Sequence, residues 1–422
     1  MPTLRTVTLG CKVNQYETQY VRQGLARLGY RDPAEGESAD LCIVNTCTVT
    51  AESDSKCRKA IRALARQNPN ARIIVMGCYA ARAPAQVADL PGVVEVVTDK
   101  RRLPDLLARL GLAPAPAGIS SCAWAVRAWV KVQDGCAMGC AYCIVPHVRP
   151  RLESRDPADV LDEVRRLVAG GYREIVLTGI HLGHYGADPA SQDHCPGLDL
   201  ASLVQRVLLL EGEFRIRLSS IEAAEVTPRL LRLMRDHPQR FCPHLHLPLQ
   251  SGSDAVLARM RRRYTRRRFV QQCYVAREQV PDLVITTDAM VGFPGESEAD
   301  FEATCRVVEE MGFAKVHVFR FSPRPGTPAA DMSDQVPEHV KRRRAEQLGS
   351  LGQQVRARVL ERFLGRRLRV LIESPLHGDN ALMLGTSQNY LPVEVAGPGI
   401  MPGQFHPLVG CRIVNGRLHA VA

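Results

Sequence analysis

The sequence predicts an α/β protein with three parts: an N-terminal doubly wound parallel sheet, a central partial β/α barrel and a small C-terminal antiparallel β-barrel. Two observations predict this fold class. Short β-branched strands alternate with amphipathic helical segments in two series, which the Ala- and Pro-rich linker Ala113–Gly118 separates. After the second series the pattern changes to short strands separated by Gly, Pro and Asn. We therefore expect domains over residues 1–112, 122–350 and 363–422.

The first series predicts the doubly wound sheet. Its strands are Thr6–Gly10, Leu41–Thr46, Arg72–Gly77 and Val93–Thr98, and its helices are Gln15–Leu28, Glu52–Arg66, Pro84–Leu90 and Leu103–Leu110. Strands that alternate with helices at this spacing are typical of a sheet whose strands are all parallel.

The second series contains six βα units. Its strands are Val126–Val132, Glu174–Thr178, Arg215–Ser219, His244–Leu249, Leu283–Asp288 and Val316–Phe321. Its helices are Pro157–Ala169, Leu200–Leu210, Pro228–Arg235, Ala255–Arg262, Arg267–Gln279 and Glu298–Met311. A closed β/α barrel needs eight units, so we expect an open, partial barrel. A basic helix, Glu338–Leu364, leads into the C-terminal barrel.

The composition excludes several classes of protein. Hydrophobic residues make up 45% and charged residues 23% of the 422 residues, which is typical of a globular chain and not of a disordered one. No run of about 18 apolar residues is present, so a membrane-spanning protein is excluded, and the N-terminus lacks the apolar stretch of a secretion signal. We expect a cytoplasmic protein whose 14 cysteines are mostly reduced thiols.

The charge balance indicates a polyanionic partner. Lys and Arg number 55 against 44 Asp and Glu, which gives a formal net charge of +11. Nucleic acid is the commonest partner of a chain with such an excess. A basic surface that only keeps the protein in solution is the alternative.

Cys136, Cys140 and Cys143 form the sharpest motif. They follow the first strand of the partial barrel, at its carboxyl end, where folds of this kind place their active sites. Three thiolates at this spacing can bind three corners of an iron–sulfur cluster or a single metal ion. No second CxxC pair follows that would make a zinc ribbon, but His147 would complete a Cys3His zinc site. Because three ligands leave one position open, we expect a chemical role for this site.

Cys11, Cys47 and Cys78 form a second set, although they are distant in sequence. Each lies at the carboxyl end of a predicted parallel strand. In a doubly wound sheet these ends line one crevice, so the three thiols are expected to converge. The alternative is three separate core thiols, since free cysteines are often buried. The other cysteines are expected to be core residues or show no ligand-like spacing: Cys42, Cys57, Cys122, Cys195, Cys242, Cys273, Cys305 and Cys411.

Together these motifs resemble the radical S-adenosylmethionine methylthiotransferase family. The segments that carry the resemblance, besides the Cys136–Cys143 motif with Tyr142, are Leu9-Gly-Cys-Lys-Val-Asn14, Asn45-Thr-Cys-Thr-Val-Thr50, Val75-Met-Gly-Cys-Tyr79, Ile175–Ile180, Arg217–Glu222, His246–Gly252 and Met290–Glu296. The C-terminal segment is similar to a TRAM domain, a small RNA-binding β-barrel. The resemblance covers essentially the whole chain, with one departure at Ala137–Gly139, where the family often has Asn and an aromatic residue.

The residues around Cys11 distinguish the branches of this family. Leu9–Thr18 and Arg151–Arg155 are similar to the branch that modifies N6-threonylcarbamoyladenosine in tRNA. The branch acting on isopentenyladenosine usually carries Gln-Met-Asn after its cysteine, and the ribosomal-protein branch carries Pro-Lys-Asn. The resemblance therefore implies conversion of N6-threonylcarbamoyladenosine beside the anticodon, at position 37, to its 2-methylthio derivative. The sister substrates are alternatives, and a non-catalytic iron–sulfur or zinc RNA-binding protein is the alternative from another class.

The resemblance also implies the cofactors and partners. Each cysteine set would hold a [4Fe-4S] cluster with one iron free of protein ligands. At the cluster of Cys136, Cys140 and Cys143, S-adenosylmethionine would bind this iron and yield a 5′-deoxyadenosyl radical, which removes hydrogen from carbon 2 of the adenine. The other cluster would deliver a sulfur methylated by a second S-adenosylmethionine. The implied partners are tRNA, an electron donor and a sulfur source, and we expect a monomer.

Position alone suggests further site residues. Gly179, Ser220 and Gln250 follow barrel strands and are candidates for contacts with S-adenosylmethionine; alternatively, Gly179 shapes a strand exit and the polar pair caps helices. The basic run Arg259–Arg268 is either an RNA contact or a solvated helix face. The candidate RNA-binding residues are Arg262, Arg263, Tyr264, Arg366 and Arg367. No role is assigned to His181, His184, His244 and His246.

Overall fold

A computed structural model of the chain describes residues 1–122, 126–194, 196–376 and 379–421, and it confirms the three-part α/β fold. The strands of the N-terminal sheet are β1 (Leu4–Thr8), β2 (Leu41–Thr46), β3 (Arg72–Gly77) and β4 (Val93–Val97). Its helices are α1 (Lys12–Arg27), α2 (Ala51–Gln67), α3 (Cys78–Arg82), α4 (Pro84–Ala88) and α5 (Leu103–Arg109). All four strands are parallel, in the order β1-β2-β3-β4.

The winding of this sheet reverses at β1. After α1 the chain returns on the outer side of β1, where the Leu4 N–H donates to the carbonyl of Arg31, and it then crosses to β2 on the other side. As a result α1 and α5 pack on one face of the sheet, whereas α2, α3 and α4 pack on the other. A reversal of this kind opens a crevice at the carboxyl ends of the two strands beside it, here β1 and β2.

The central part is an open barrel of six parallel strands with one short antiparallel strand at its edge. Its strands are β5 (Arg127–Asp134), β6 (Glu153–Ser154), β7 (Glu174–Gly179), β8 (Arg215–Leu218), β9 (His244–His246), β10 (Val284–Val291) and β11 (Lys315–Arg320). The parallel strands run in the order β5-β7-β8 and β9-β10-β11, and isolated bridges between Ile216 and Phe241 and between Ser220 and His246 join the two ladders. The short β6 is antiparallel to β5.

Helices cover the outside of this barrel. They are α6 (Val145–Val148), α7 (Pro157–Ala169), α8 (Pro189–His194), α9 (Leu200–Leu208), α10 (Pro228–Asp236), α11 (Asp254–Arg259), α12 (Arg266–Gln279), α13 (Glu298–Met311) and α14 (Glu338–Glu361). Side chains that accept a hydrogen bond from the first turn fix several starts, as Asp156 does for α7 and Ser297 for α13. None of the helices in the described part of the chain combines the length and apolarity needed to cross a bilayer.

The C-terminal part is a closed five-stranded barrel. Its strands are β12 (Arg367–Leu376), β13 (Asp379–Ser387), β14 (Pro392–Val395), β15 (Phe405–Val414) and β16 (Arg417–Val421), in the order β12-β13-β14-β16-β15. The predicted antiparallel barrel is confirmed with one exception, because β14 and β16 are parallel. β16 forms a hairpin with β15 and closes the barrel against β14, a pairing that the turn signals do not reveal.

Buried ion pairs join the N-terminal sheet to the open barrel. Arg149, after α6, donates to Glu17 of α1 and to Asp134 at the end of β5, with N–O distances of 2.7–2.8 Å. Arg324, which follows β11, pairs with Asp54 of α2. Such pairs need good geometry to offset the loss of hydration, and this geometry fixes the N-terminal sheet against the mouth of the open barrel.

Candidate active site

Cys11, Cys47 and Cys78 meet in the crevice of the N-terminal sheet. Cys11 precedes α1, Cys47 directly follows β2, and Cys78 is the first residue of α3. A Cβ placed at Gly10 would lie 3.3 Å from Cys47 Sγ, so the segment carrying Cys11 touches Cys47. Burial raises the pKa of the Cys47 thiol and the nearby Cys78 thiol raises it further. Burial also raises the pKa of the Cys11 thiol. Cys78 adds to this rise, whereas Arg149 opposes it.

Gly77 allows the ends of β2 and β3 to approach so closely. Its φ is +101°, and a Cβ there would lie 2.4 Å from the backbone of Thr46. Asn14 then ties β1 to β2, because its Nδ2 donates to the carbonyls of Leu9 and Thr46. These contacts hold Cys11, Cys47 and Cys78 in a fixed relation.

Cys136, Cys140 and Cys143 lie in the loop between β5 and α6, at the carboxyl end of the barrel. Gly135 lets this loop pass β6, since its φ is +78° and a Cβ would lie 1.8 Å from the carbonyl oxygen of Arg151. Burial raises the pKa of the Cys143 thiol to about 12, and the Cys140 and Cys136 thiols contribute to the rise. Such a thiol stays protonated at neutral pH unless a metal takes the place of the proton.

Neither cysteine set is compact enough for a single zinc ion. Zinc–sulfur bonds of about 2.3 Å would place the sulfur atoms about 3.8 Å apart. Among the described residues, the groups of three ligand atoms within 4.8 Å of one another are His181, His184 and Glu225, and His246, Asp288 and His317. The cysteine sets are wider, and His147 is in neither compact group. The spacing therefore fits a larger inorganic cluster better than a Cys3His zinc site.

Two cationic side chains contact the cysteines of the barrel loop. Arg262 Nη1 lies 3.4 Å from Cys140 Sγ, and its other nitrogen donates to Glu222. His181 Nδ1 lies 3.6 Å from Cys136 Sγ, and its Nε2 lies 2.6 Å from Glu225 Oε1. Both carboxylates belong to the turn after β8. Burial would lower the pKa of His181, but its hydrogen bonds to Cys136 and Glu225 raise it to about 9.

A cavity of about 510 Å³ connects the N-terminal crevice with the inside of the barrel. Its lining includes Cys11 and Lys12 of the N-terminal crevice, Gly179, Ser219 and Ser220 at the strand ends, and Tyr390 of the C-terminal barrel. The remaining lining residues are Gly10, Val13, Thr178, Arg217, Leu218, His244, His246, Thr286, Asp288, His317 and Phe319. This volume is within the range of about 300–1,000 Å³ typical of small-ligand sites.

Two of the three predicted S-adenosylmethionine contacts line this cavity. Gly179 and Ser220 line the cavity, whereas Gln250 does not and instead pairs through its backbone with β10. The helix-capping alternative does not hold for the polar pair, because Glu222 and Ser253 occupy the cap positions of the turns that follow. A Cβ at Gly179 would lie 3.0 Å from Gln133 Cβ, so a glycine is also suited to the close packing at the end of β7. Both interpretations of Gly179 therefore remain.

The predicted RNA-binding residues are divided as well. The prediction was wrong for Arg262 and Tyr264: the Arg262 side chain is only 4% exposed, and Tyr264 is 8% exposed with its hydroxyl donating to the carbonyl of Leu249. The basic run turns inwards between α11 and α12, which composition alone does not reveal. Arg263, Arg366 and Arg367 are exposed.

Sequence reasoning missed His181, Lys12 and Tyr390. His181 follows β7 at the same edge as the cysteine loop, so its position after a strand was an available signal. Tyr390 reaches the cavity from another domain, and no local pattern predicts that contact. Of the cysteines expected to be bland, Cys42, Cys57, Cys122, Cys242 and Cys273 are buried, Cys305 is half-buried and Cys411 is exposed, while Cys195 lies outside the described residues.

Comparison with known proteins agrees with this architecture. The radical SAM superfamily model matches residues 130–308, and the model of uncharacterized protein family UPF0004 matches residues 3–99. The chain is 38% identical to threonylcarbamoyladenosine tRNA methylthiotransferase MtaB of Bacillus subtilis, covering 96% of this chain and 93% of that protein. It is 36% identical to tRNA-2-methylthio-N(6)-dimethylallyladenosine synthase 1 of Mycobacterium marinum, covering 88% and 75%.

Among solved structures, the chain is similar to the radical S-adenosylmethionine methyltransferase TsrM from Kitasatospora setae. The TM-score is 0.56 at 14% identity, covering 78% of this chain and 77% of that one. At this identity the likeness concerns the fold alone. Since relatives above 30% identity match nearly the full chain and both cysteine sets meet at strand ends, the chain belongs to the radical S-adenosylmethionine methylthiotransferase family.

Proposed function

We propose that the protein adds a methylthio group to carbon 2 of N6-threonylcarbamoyladenosine at position 37 of tRNA, in the cytoplasm. The observation that carries the proposal is the cavity that Cys11 borders together with the carboxyl ends of β7 and β8. An adenine in this cavity would lie beside Cys11, at the same edge of the open barrel that carries the loop of Cys136, Cys140 and Cys143. Proximity of this kind is what an enzyme with two reactive centres must supply.

The cysteines fit two [4Fe-4S] clusters, each with three protein ligands. Cys11, Cys47 and Cys78 would hold one, and Cys136, Cys140 and Cys143 the other, so that one iron of each is free of protein ligands. When bound, the clusters and S-adenosylmethionine supply the radical and sulfur chemistry. The chain supplies the rest: Arg262 and His181 donate hydrogen bonds to ligand sulfurs, and the cavity positions the base beside Cys11.

The substrate branch rests on two observations. The chain spans 93% of the Bacillus subtilis relative, whose name specifies threonylcarbamoyladenosine, but only 75% of the Mycobacterium marinum relative, whose name specifies dimethylallyladenosine. The residues that follow Cys11 are also those of the first branch by resemblance. We further propose Gly179, Ser220 and Gln250 as contacts of S-adenosylmethionine.

The exposed arginines are proposed as contacts of the RNA backbone. Arg263 lies beside the barrel mouth, and Arg366 and Arg367 begin the C-terminal barrel. Arginine suits phosphate because its planar group donates two parallel hydrogen bonds. An electron donor and a sulfur source complete the set of proposed partners, and we propose a monomer.

Mass spectrometry of tRNA nucleosides from cells lacking the protein tests the function. The expected result is loss of 2-methylthio-N6-threonylcarbamoyladenosine and accumulation of the form without the methylthio group. A lost isopentenyladenosine derivative would instead identify the sister substrate, and an unchanged profile would refute a role in tRNA. Protein purified without oxygen should contain about eight iron atoms per chain, whereas one or two zinc ions would refute the two clusters.

A further inference from the structure

We propose that Lys12 is the receptor for the carboxylate of the threonylcarbamoyl group, and so determines which modified adenosine the enzyme accepts. This inference rests on the proposed function and assigns a part of the substrate to one side chain. Lys12 is the first residue of α1, directly after Cys11, and it lines the cavity described above.

Among the described residues, one cation that lines the cavity has no partner. Apart from histidines, the charged lining residues are Lys12, Arg217 and Asp288. Arg217 donates to both carboxylate oxygens of Glu174 and to the carbonyl of Ser387, while Asp288 lies 3.2 Å from His246 Nε2. Within the described residues, Lys12 forms no hydrogen bond and no ion pair.

A half-buried ammonium group without an anion is unfavourable, because burial removes much of its hydration. Two further lining residues carry buried polar atoms without a partner in the described part of the chain, Ser219 Oγ and His244 Nδ1. The cavity therefore presents one positive charge together with unused hydrogen-bonding groups. A ligand that fits this arrangement carries an anionic group and several polar atoms.

The threonylcarbamoyl group has this chemistry. It joins threonine to the adenine through a urea and leaves the carboxylate and the hydroxyl free. An α-carboxylate is ionised at neutral pH, since its pKa is about 3.5. The dimethylallyl group of the sister substrate is uncharged and cannot pair with an ammonium group. A lysine at this position therefore favours the first substrate and leaves an unpaired charge beside the second.

The rigid setting of Lys12 strengthens the assignment. The first turn of α1 is held by Asn14, which donates to the ends of β1 and β2, and the next turn by the pair of Glu17 with Arg149. Tyr390 also lines the cavity, and its ring lies against His244, tilted by 30° at 4.4 Å between centroids. Because these contacts restrain the backbone around Lys12, they limit the part of the cavity that its ammonium group reaches, as recognition of one carboxylate requires.

Binding of two matched tRNAs to the cluster-loaded protein, without reductant, tests this inference. The tRNAs have the same sequence and carry either N6-threonylcarbamoyladenosine or plain adenosine at position 37. The wild-type protein should bind the modified tRNA at least tenfold more tightly. K12Q should lose most of this preference with little change for the unmodified tRNA, and K12R should retain part of it. K56Q, at an exposed lysine of α2, is the matched control and should behave as wild type.

The other outcomes overturn the assignment. If K12Q weakened the binding of both tRNAs equally, Lys12 would bind a backbone phosphate. If the preference for the modified tRNA were unchanged, another residue would bind the carboxylate. If K12Q lowered the iron content while K12R kept it and both kept the preference, Lys12 would serve the neighbouring cluster. A wild-type protein that shows the Lys12-dependent preference but forms no methylthio product would refute the proposed reaction and leave this inference intact.

Discussion

Cys136 and Cys140 each accept a hydrogen bond from a cationic side chain that a carboxylate holds in place. Glu222 holds Arg262, and Glu225 holds His181. Hydrogen bonds to ligand sulfurs stabilise the reduced, more negative state of an iron–sulfur cluster, so they set its reduction potential. The short turn after β8 thus bears on the electron transfer that begins the proposed reaction.

Replacing Arg262 by Met should make the reduction potential of this cluster more negative. The substitution keeps an unbranched, though shorter, side chain and removes the donor to Cys140. A loss of about 1 kcal/mol of preference for the reduced state corresponds to a shift of roughly 40 mV for one electron. Redox titration followed by electron paramagnetic resonance measures the shift. Arg263→Met, at the exposed neighbouring position, should leave the potential unchanged; a variant at 262 with full iron and an unshifted potential would contradict the prediction.

At the same scale, the cysteine sets were predictable because their positions follow from the chain itself. Each of Cys11, Cys47 and Cys78 comes at the end of a parallel strand, and the sheet geometry alone brings such ends together. The contact of Arg262 with Cys140 was not predictable, since a run of arginines indicates a solvated surface as readily as a buried turn. Tertiary packing decides between the two.

Among the elements, β8 connects the open barrel to the C-terminal barrel. Arg215 and Arg217 both lie buried on this strand and both pair with Glu174 of β7, while their other nitrogens donate to carbonyls of the C-terminal barrel. Burial alone would raise the pKa of Glu174, but the two arginines hold it well below its usual value. The pair therefore stabilises the junction only while Glu174 is ionised.

Glu174→Gln should destabilise the protein by about 3 kcal/mol at neutral pH, because two buried guanidinium groups lose their counter-charge. The contribution of Glu174 is fully present above its unfolded pKa of about 4.3, and it is lost as the pH falls towards the lower folded value. The difference in denaturation midpoint between wild type and variant should therefore shrink below about pH 4. Chemical denaturation across this range measures it. Glu52→Gln, at an exposed carboxylate, should change stability by less than about 0.5 kcal/mol. If the difference in denaturation midpoint did not depend on pH, the charge of Glu174 would not be the source of the stabilisation.

The elements themselves were largely predictable, and their edges less so. The alternation of strands and helices gave α7 and α13 their observed bounds, since capping residues mark both starts. In contrast, β9 spans only three of the six predicted residues, and the rest of that segment follows the bend of the open barrel. The parallel pairing of β14 with β16 depends on barrel closure, a property of the whole domain.

The whole molecule carries an excess of positive charge, and this charge has a measurable consequence. Binding to RNA through Arg and Lys releases counterions, so affinity falls as salt rises. Arg367→Gln should reduce the slope of log affinity against log salt concentration by about 1. It should also weaken the binding of all tRNAs to a similar degree. Binding isotherms at several salt concentrations provide the measurement. Arg306→Gln, which removes an exposed charge on the outer face of α13, is the comparison and should leave the slope as it is. An unaltered slope for the change at 367 would exclude a phosphate contact there.

The turn that carries Tyr390 connects the C-terminal barrel, which carries proposed RNA contacts, with the cavity where the reaction is proposed to occur. It belongs to the C-terminal barrel, yet its ring forms a wall of the chamber beside Cys11. Truncating the chain before β12 would remove the barrel that carries proposed RNA contacts, and it would also open the cavity. Loss of activity in the truncated enzyme would then reflect the opened cavity as much as weaker binding of tRNA. Point substitutions on the outer surface of the C-terminal barrel are needed to distinguish these two effects.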